Sequence, residues 1–340
     1  MNFFFLIRGK EKLGSNRIYI NNYSKWIAEL GYEVNTSKQI KPGFDVYILS
    51  KYSTLEDVLS IKKLPGKKLI GLIHPTDLNK KSTTMIQKSD FLIVGSIEEK
   101  DYFLNFHKNV FRLPQLEDIN TTQKNHQNKE SIMIGYHGNL EHLEEMHGSC
   151  TKAIEKLGIE RKIKLLAIYD LSLGKWKKGR PNNIEIIDKD WTNLEDLVKN
   201  LKQVDIGIVP GTNNFFLDKK NSKKSFFSLL FRLISGGKNK RLNDYIIRFK
   251  ATSNAGRAFV FHQLGIPVVA DFWPSHFEIL GNSNCGMLAH SENGWYNSLN
   301  ELINSYELRQ EISKNAFKYF KINYSNKIWT ENFINQIKKL

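Results

Sequence analysis

The order of apolar and helical segments predicts an α/β protein built from two Rossmann-like domains facing each other across a cleft. Short apolar runs bounded by turn residues alternate with longer stretches of helical period, the pattern of βαβ units around parallel sheets. That alternation restarts after a polar stretch near residue 120. The length agrees, since 340 residues at ~150 per domain make two domains.

In the first half, strands are predicted at Phe3 to Ile7, Phe44 to Leu49, Lys68 to Ile73 and Phe91 to Val94. Between the first two, Ile18, Tyr19, Tyr23, Trp26, Ile27 and Leu30 fall at helical spacing, with Ser15 as N-cap and Gly31 as stop. Residues 1–116 form this N-terminal domain. The polar, Asn/Thr/Gln-rich stretch 117–130 has almost nothing to bury and is assigned as the linker. In the second half, Ile132 to Tyr136 is a strand followed by a helix to Leu157. Strands at Lys164 to Tyr169 and Ile184 to Ile187, a helix near Leu194 to Leu201 and a strand at Asp205 to Val209 follow. A helix from Asn254 to Leu264, strands at Pro267 to Ala270 and near Met287, and helices after Glu301 complete a C-terminal domain over 131–320. Residues 321–340 are expected as a C-terminal helix packing back on the N-terminal domain.

Composition narrows the class. Hydrophobic residues at 41% and charged residues at 25% describe a globular chain rather than a disordered one. The two cysteines, Cys150 and Cys285, lie far apart and outside any CxxC spacing. They support neither a disulfide framework nor a structural zinc site, and a reducing, cytoplasmic compartment fits best. The apolar start is broken by Arg8 and Lys10, too early for a signal peptide. No uncharged apolar run approaches the ~18 residues of a membrane span.

The net charge of +15 predicts attraction to anions. Residues 215–250 hold ten Lys+Arg and two Asp+Glu, so +8 of the total lies in this one insert. Within it Ser225, Ser228, Arg232 and Ser235 share one helical face, while Phe226, Phe227, Leu230 and Phe231 belong to an apolar remainder. Gly236 and Gly237 end the segment. A basic, apolar helix of this kind suits the headgroup layer of an anionic membrane, with Phe226, Phe227, Leu230 and Phe231 as the membrane contacts. A lid or an oligomer contact is the other reading of the same insert.

Ligands of open parallel sheets bind beyond the carboxyl ends of the strands, which selects four places. At Tyr136-His137-Gly138-Asn139 a glycine lets backbone amides approach a phosphate. At Lys250 to Arg257, a helix N-terminus with Ser253, Asn254 and two full cationic charges suits a diphosphate. At Asp188-Lys189-Asp190-Trp191, following a strand, the indole suits a nucleobase; the same residues spell DxD, a metal-binding pattern in a different architecture. At His74-Pro75 an imidazole facing the cleft serves as acid, base or hydrogen-bond donor. Plain turn, cap and core roles compete with each of these readings.

The stretch Lys250 to Cys285, with Gly265-Ile-Pro-Val-Val269, Pro274, Glu278 and Gly286, resembles the C-terminal half of family 4-like GT-B glycosyltransferases. Asp205 to Gly211 and Gly135 to Asn139 resemble that family's segments around the donor site. The resemblance implies a GT-B fold and transfer of a sugar from a nucleotide-sugar donor, with no bound cofactor or metal. It implies that Lys250, Ser253, Asn254 and Arg257 neutralise the donor diphosphate, that Gly138 and Asn139 approach it, and that Asp190 and Trp191 border the base. His74 and the loop Gly9 to Ser15 would line the acceptor side, making His74 and Arg257 the catalytic candidates. The family's paired-glutamate slots hold Thr252 and Val260 here, while Ser253 to Arg257 resembles a sub-group in which Asn and Arg replace the first glutamate.

The resulting expectation is a bacterial, cytoplasmic enzyme, peripheral on the inner face of the cell membrane, that builds a lipid-linked or cell-surface glycan such as capsule or lipopolysaccharide. A sugar-nucleotide epimerase or hydrolase of the same fold and a non-catalytic GT-B-like subunit are the alternatives. A nucleic-acid partner is not expected, because no helix-turn-helix, zinc-finger or RNP-type pattern accompanies the charge.

Overall fold

The computed structural model describes residues 1–10, 13–75, 80–211, 254–281 and 284–340. The basic insert 215–250, with Phe226, Phe227, Leu230, Phe231 and Lys250, and also Ser253, lies outside the described residues. Two compact units are present, one of residues 1–118, 254 and 324–340, the other of residues 119–211 and 255–323.

The first unit has six described strands: β1 (Phe3–Leu6), β2 (Val34–Ser37), β3 (Val46–Leu49), β4 (Leu69–Ile73), β5 (Phe91–Val94) and β6 (Val110–Arg112). They pair in the order β2-β1-β3-β4-β5-β6, all in parallel. β1, β3 and β5 are buried along their whole length, as continuous apolar strands covered on both faces must be. Its helices are α1 (Tyr23–Glu29), α2 (Leu55–Lys62), α3 (Lys80–Lys88) and α4 (Ile97–Phe103). The last described helix of the chain, Asn326–Ile337, also belongs here: Phe333 lies 6.2 Å from the Phe91 ring and 6.5 Å from that of Phe111.

The helix predicted from Ser15 is wider than expected at its start. Asn16–Asn22 form a π-helical segment running directly into α1. Ser15 has helical backbone angles and makes no side-chain cap, so it is not the N-cap. Gly31, at φ 87°, does follow the helix end. β2 and β6 were absent from the sequence expectation. β2 is a short, half-exposed Val-Asn-Thr-Ser segment, and its pairing with β1, not its composition, makes it a strand.

The second unit has β7 (Ile132–His137), β8 (Ile163–Tyr169), β9 (Glu185–Asp190), β10 (Ile206–Val209), β11 (Val268–Ala270) and β12 (Met287–Leu288). These run parallel in the order β12-β11-β10-β7-β8-β9, the doubly wound dinucleotide-fold order with its switch point between β7 and β10. The helices are α5 (Leu140–Glu144), α6 (Ser149–Glu160), α7 (Leu194–Leu201), α8 (Gly256–Leu264), α9 (Pro274–Leu280), α10 (Glu292–Asn304) and α11 (Tyr306–Asn323). The single helix expected up to Leu157 is thus two, divided at Gly148 with φ 98°. The final helix of the first unit is α12 (Asn326–Ile337).

β9 runs on through Asp190, three residues past the expected end, because Asp188 and Asp190 pair with Ala167 and Tyr169 on β8. Asp188 and Asp190 are therefore strand residues rather than a loop. Residues 119–130 carry no regular element but are held by the second unit. His126 Nε2 lies 2.9 Å from the Gly265 carbonyl, and Arg309 donates to the Gln127 carbonyl at 2.9 Å.

Candidate active site

In the first unit the carboxyl ends of β4 and β5 converge on His74. Its backbone is left-handed, φ 44°, a conformation that costs a non-glycine residue about 1 kcal/mol or more. The ring is 4% exposed and filled on both sides. Glu99 Oε1 is 2.7 Å from Nδ1, the Tyr19 hydroxyl 2.7 Å from Nε2, and the Gln115 amide nitrogen 3.1 Å from Nε2. The carboxylate accepts a hydrogen bond from Nδ1–H, leaving Nε2 to accept from the two donors. The sequence allowed both a cleft-facing imidazole and a satisfied structural one at His74; the structure buries the ring between Glu99 and Tyr19.

Each partner is positioned by local structure. Tyr19 projects from the π-helical segment, and such segments recur at functional sites. Glu99 is the third residue of α4, whose N-cap is Ser96, the Oγ accepting from Glu99 N at 3.1 Å. The second Glu99 oxygen accepts the Gly95 amide at 2.7 Å. A Cβ on Gly95 would stand 2.7 Å from the Tyr19 hydroxyl and 3.1 Å from the His74 ring, so only glycine fits. Burial, and then the Glu99 charge, push the Tyr19 phenol well above its ordinary range, which keeps it a neutral donor. Nearby, Asn16 is 1% exposed and donates to the Arg8 and Lys10 carbonyls at 2.8 and 3.0 Å, fixing the start of the loop Gly9 to Ser15.

In the second unit the strand ends at the switch point carry the other candidates. Gly138 follows β7 at φ 140°, and a Cβ there would lie 3.0 Å from Arg257 Cδ. Asn139 is exposed at the start of α5, its carbonyl accepting the Tyr136 hydroxyl at 2.7 Å. Arg257, in the first turn of α8, lays its guanidinium 5.5 Å from the Tyr136 ring centroid. Nη2 donates to the Pro210 carbonyl at 3.1 Å, while the buried Nη1 has no partner among the described residues. Asn254 stands just before α8, outside the N-cap position, which Ala255 occupies.

At the β8–β9 edge, Asp188 is clamped by Arg180 through contacts of 3.0 and 2.8 Å and accepts the Tyr169 hydroxyl at 3.0 Å. Burial alone would raise its pKa, but these donors hold the carboxyl below its usual range. Asp190 accepts the Leu171 amide at 2.9 Å, and the Trp191 amide donates to the Tyr169 carbonyl at 3.0 Å. The DxD carboxylates are thus engaged by the protein separately. Among the described residues no group of three or more His, Cys, Asp or Glu is placed to hold a metal ion. No described helix is long and apolar enough to cross a membrane.

Sequence reasoning also missed Asp271 and His290, beyond β11 and β12. Asp271 is 5% exposed; Oδ1 lies 2.6 Å from His290 Nδ1 and Oδ2 accepts the Gly211 amide at 3.2 Å. Asp271 stands two residues past the recognised Gly265 to Val269 segment, but nothing in the sequence pairs it with a histidine 19 residues on.

Two parallel doubly wound units with these strand-end sites define the fold of GT-B glycosyltransferases. No family model matches the sequence, and no curated protein matches it. Solved structures do match it over its whole length. A glycosyltransferase from Rickettsia africae ESF-5 aligns at 12% identity and TM-score 0.64, covering 99% of this chain and 98% of that one. Sucrose-phosphate synthase from Thermosynechococcus elongatus aligns at 10% identity and TM-score 0.63, covering 100% and 99%. Anabaena HepE in complex with UDP-glucose aligns at 12% identity and TM-score 0.61, covering 100% of each.

Proposed function

We propose that the protein is a glycosyltransferase that moves a sugar from a nucleotide-sugar donor to a glycan or lipid-linked acceptor. The observation that carries this reading is Arg257: a guanidinium at a helix start, against the glycine turn of the switch point, with Nη1 lacking a partner among the described residues. A half-buried cation with an unpaired donor beside close-approaching backbone is suited to a diphosphate. The HepE structure, which holds UDP-glucose, makes UDP-sugars the first donors to try.

On this reading Arg257, with Gly138, Asn139 and Asn254, receives the diphosphate, and Lys250 and Ser253 extend the same segment. Charge grows on the leaving diphosphate as the glycosidic bond breaks, and a preorganised cation lowers that barrier. Asp190 and Trp191 border the base. His74 acts on the acceptor side, its Nε2 reaching a reacting group through or in place of the Tyr19 hydroxyl. The basic, apolar insert supports recruitment to an anionic membrane and so a lipid-linked acceptor of the capsule or lipopolysaccharide type.

A thermal-shift series against UDP, GDP, CMP, ADP and their sugar conjugates tests the donor site, because a selective ligand raises the melting temperature by mass action. Stabilisation by one nucleotide class, lost in Arg257→Ala, is expected. No stabilisation by any of them overturns the reading in favour of a non-catalytic subunit. Flotation with anionic liposomes tests the membrane part, which fails if deleting 219–241 changes nothing.

A further inference from the structure

One peptide group joins the Arg257 guanidinium to the Asp271 carboxylate. The Pro210–Gly211 peptide closes β10; its carbonyl accepts from Arg257 Nη2 at 3.1 Å, and its N–H donates to Asp271 Oδ2 at 3.2 Å. Asp271 Oδ1 in turn holds His290 Nδ1 at 2.6 Å. A continuous hydrogen-bonded chain therefore runs from Arg257 to His290 across the carboxyl ends of β10, β11 and β12. Its middle is buried, with Asp271 at 5% exposure, while the His290 side chain is 69% exposed at its end. A histidine whose Nδ1–H is held by a buried carboxylate leaves Nε2 free to face outward, and that nitrogen carries a proton to donate only in the imidazolium form.

We propose that His290, oriented by Asp271, is a second cationic arm of the anion site headed by Arg257 and donates Nε2–H to the diphosphate of the nucleotide-sugar donor. The inference rests on the donor reading given above and assigns a residue to it. The hydrogen bond to Asp271 raises the His290 pKa, and burial raises that of Asp271 itself, so the pair keeps the imidazole protonated further toward neutral pH than a free histidine. The other titratable groups on elements packed against β12 are His276 and Glu278 on α9 and Glu292 on α10, the last 3.8 Å from Lys152. His276 Nδ1 is already engaged by the Asp271 carbonyl at 2.8 Å.

Affinity for UDP-glucose, GDP-mannose and ADP-glucose, measured from pH 6 to 9 on the full chain, tests this. Their diphosphate diesters do not themselves titrate in that range, so a slope reports the protein. The wild type is expected to lose roughly tenfold in affinity across the range, the worth of one charge-assisted hydrogen bond. His290→Gln, at an exposed position, should fold normally and bind weakly with no slope, and His290→Lys should restore affinity at pH 8 without restoring the slope. Equal slopes in wild type and His290→Gln, with binding still dependent on Arg257, would overturn the role of His290 and leave the donor reading standing. Failure of the wild type to bind any of the three overturns both.

Discussion

His74 Nδ1 lies 2.7 Å from Glu99 Oε1, and the opposite ring nitrogen lies 2.7 Å from the Tyr19 hydroxyl. Two side chains, from α4 and the π-helical segment, thereby fix one tautomer of a buried imidazole just past β4. Glu99→Gln keeps the shape but supplies no charge to hold the Nδ1 proton. It should lower kcat by roughly 10²-fold or more with little change in donor KM, as expected when a histidine loses its orienting carboxylate. Steady-state kinetics against donor concentration would show it. A KM effect with kcat intact would instead assign the relay to binding.

Gly95→Ala addresses the same relay sterically. The added methyl would meet the Tyr19 hydroxyl at 2.7 Å and the His74 ring at 3.1 Å, both inside a packed interior. Overpacking of this type costs typically ~1–3 kcal/mol. A lower melting temperature together with lost transfer is expected, while Tyr19→Phe, which removes only the hydroxyl, should spare the fold better than it spares kcat. If Gly95→Ala melted like the parent, the packing around His74 would be looser than these distances describe.

Much of this architecture was legible in the residues, and the parts that were not share physical causes. The Leu194 to Leu201 helix appears at its expected bounds, with Asn193 capping it through Asp196 N at 2.9 Å. The apolar strands were equally plain, because fully buried parallel strands read as unbroken apolar runs. β9 was cut short because Asp188-Lys189-Asp190 has poor strand propensity, which pairing with β8 overrides. Glu99 hid behind a familiar signal: Ser96 followed three residues later by Glu reads as helix capping, yet the carboxylate reaches Gly95 and His74. Asp271 and His290 meet only through the adjacency of β11 and β12, which no local pattern encodes.

Acid should destabilise the second unit before it touches the carboxylates. Burial lowers both His126 and His262 from 6.5 to about 4. Their folded pKa values lie below the unfolded ones, so the unfolded chain binds more protons between pH 6.5 and 4. Stability is therefore full above pH 6.5 and falls as pH drops toward 4. Denaturant melts at pH 7, 5.5 and 4.5 should show this slope. His262→Phe, at a site 1% exposed, should reduce it to the share of His126, and an unchanged slope in that variant would remove His262 as a cause.

Asp205 decides whether residues 119–130 act as a loose tether. Its side chain is 1% exposed, with Oδ1 3.1 Å from Lys124 Nζ and 2.6 Å from Lys129 Nζ, and Oδ2 accepting the Met133 amide at 3.0 Å. Burial pushes its pKa up, but the two ammonium groups and the amide outweigh that and hold it below the usual range. The carboxylate thus fastens a polar stretch to the start of β7. Asp205→Asn leaves Lys124, itself largely buried, without its counter-charge, and removing one partner of a buried pair costs about 3 kcal/mol. The variant should melt at clearly lower temperature at pH 7. Limited proteolysis should cut it faster within 119–130, whereas the wild type should resist there. Equal cleavage of the two proteins would show that Asp205 does not restrain this stretch, whatever it contributes to stability.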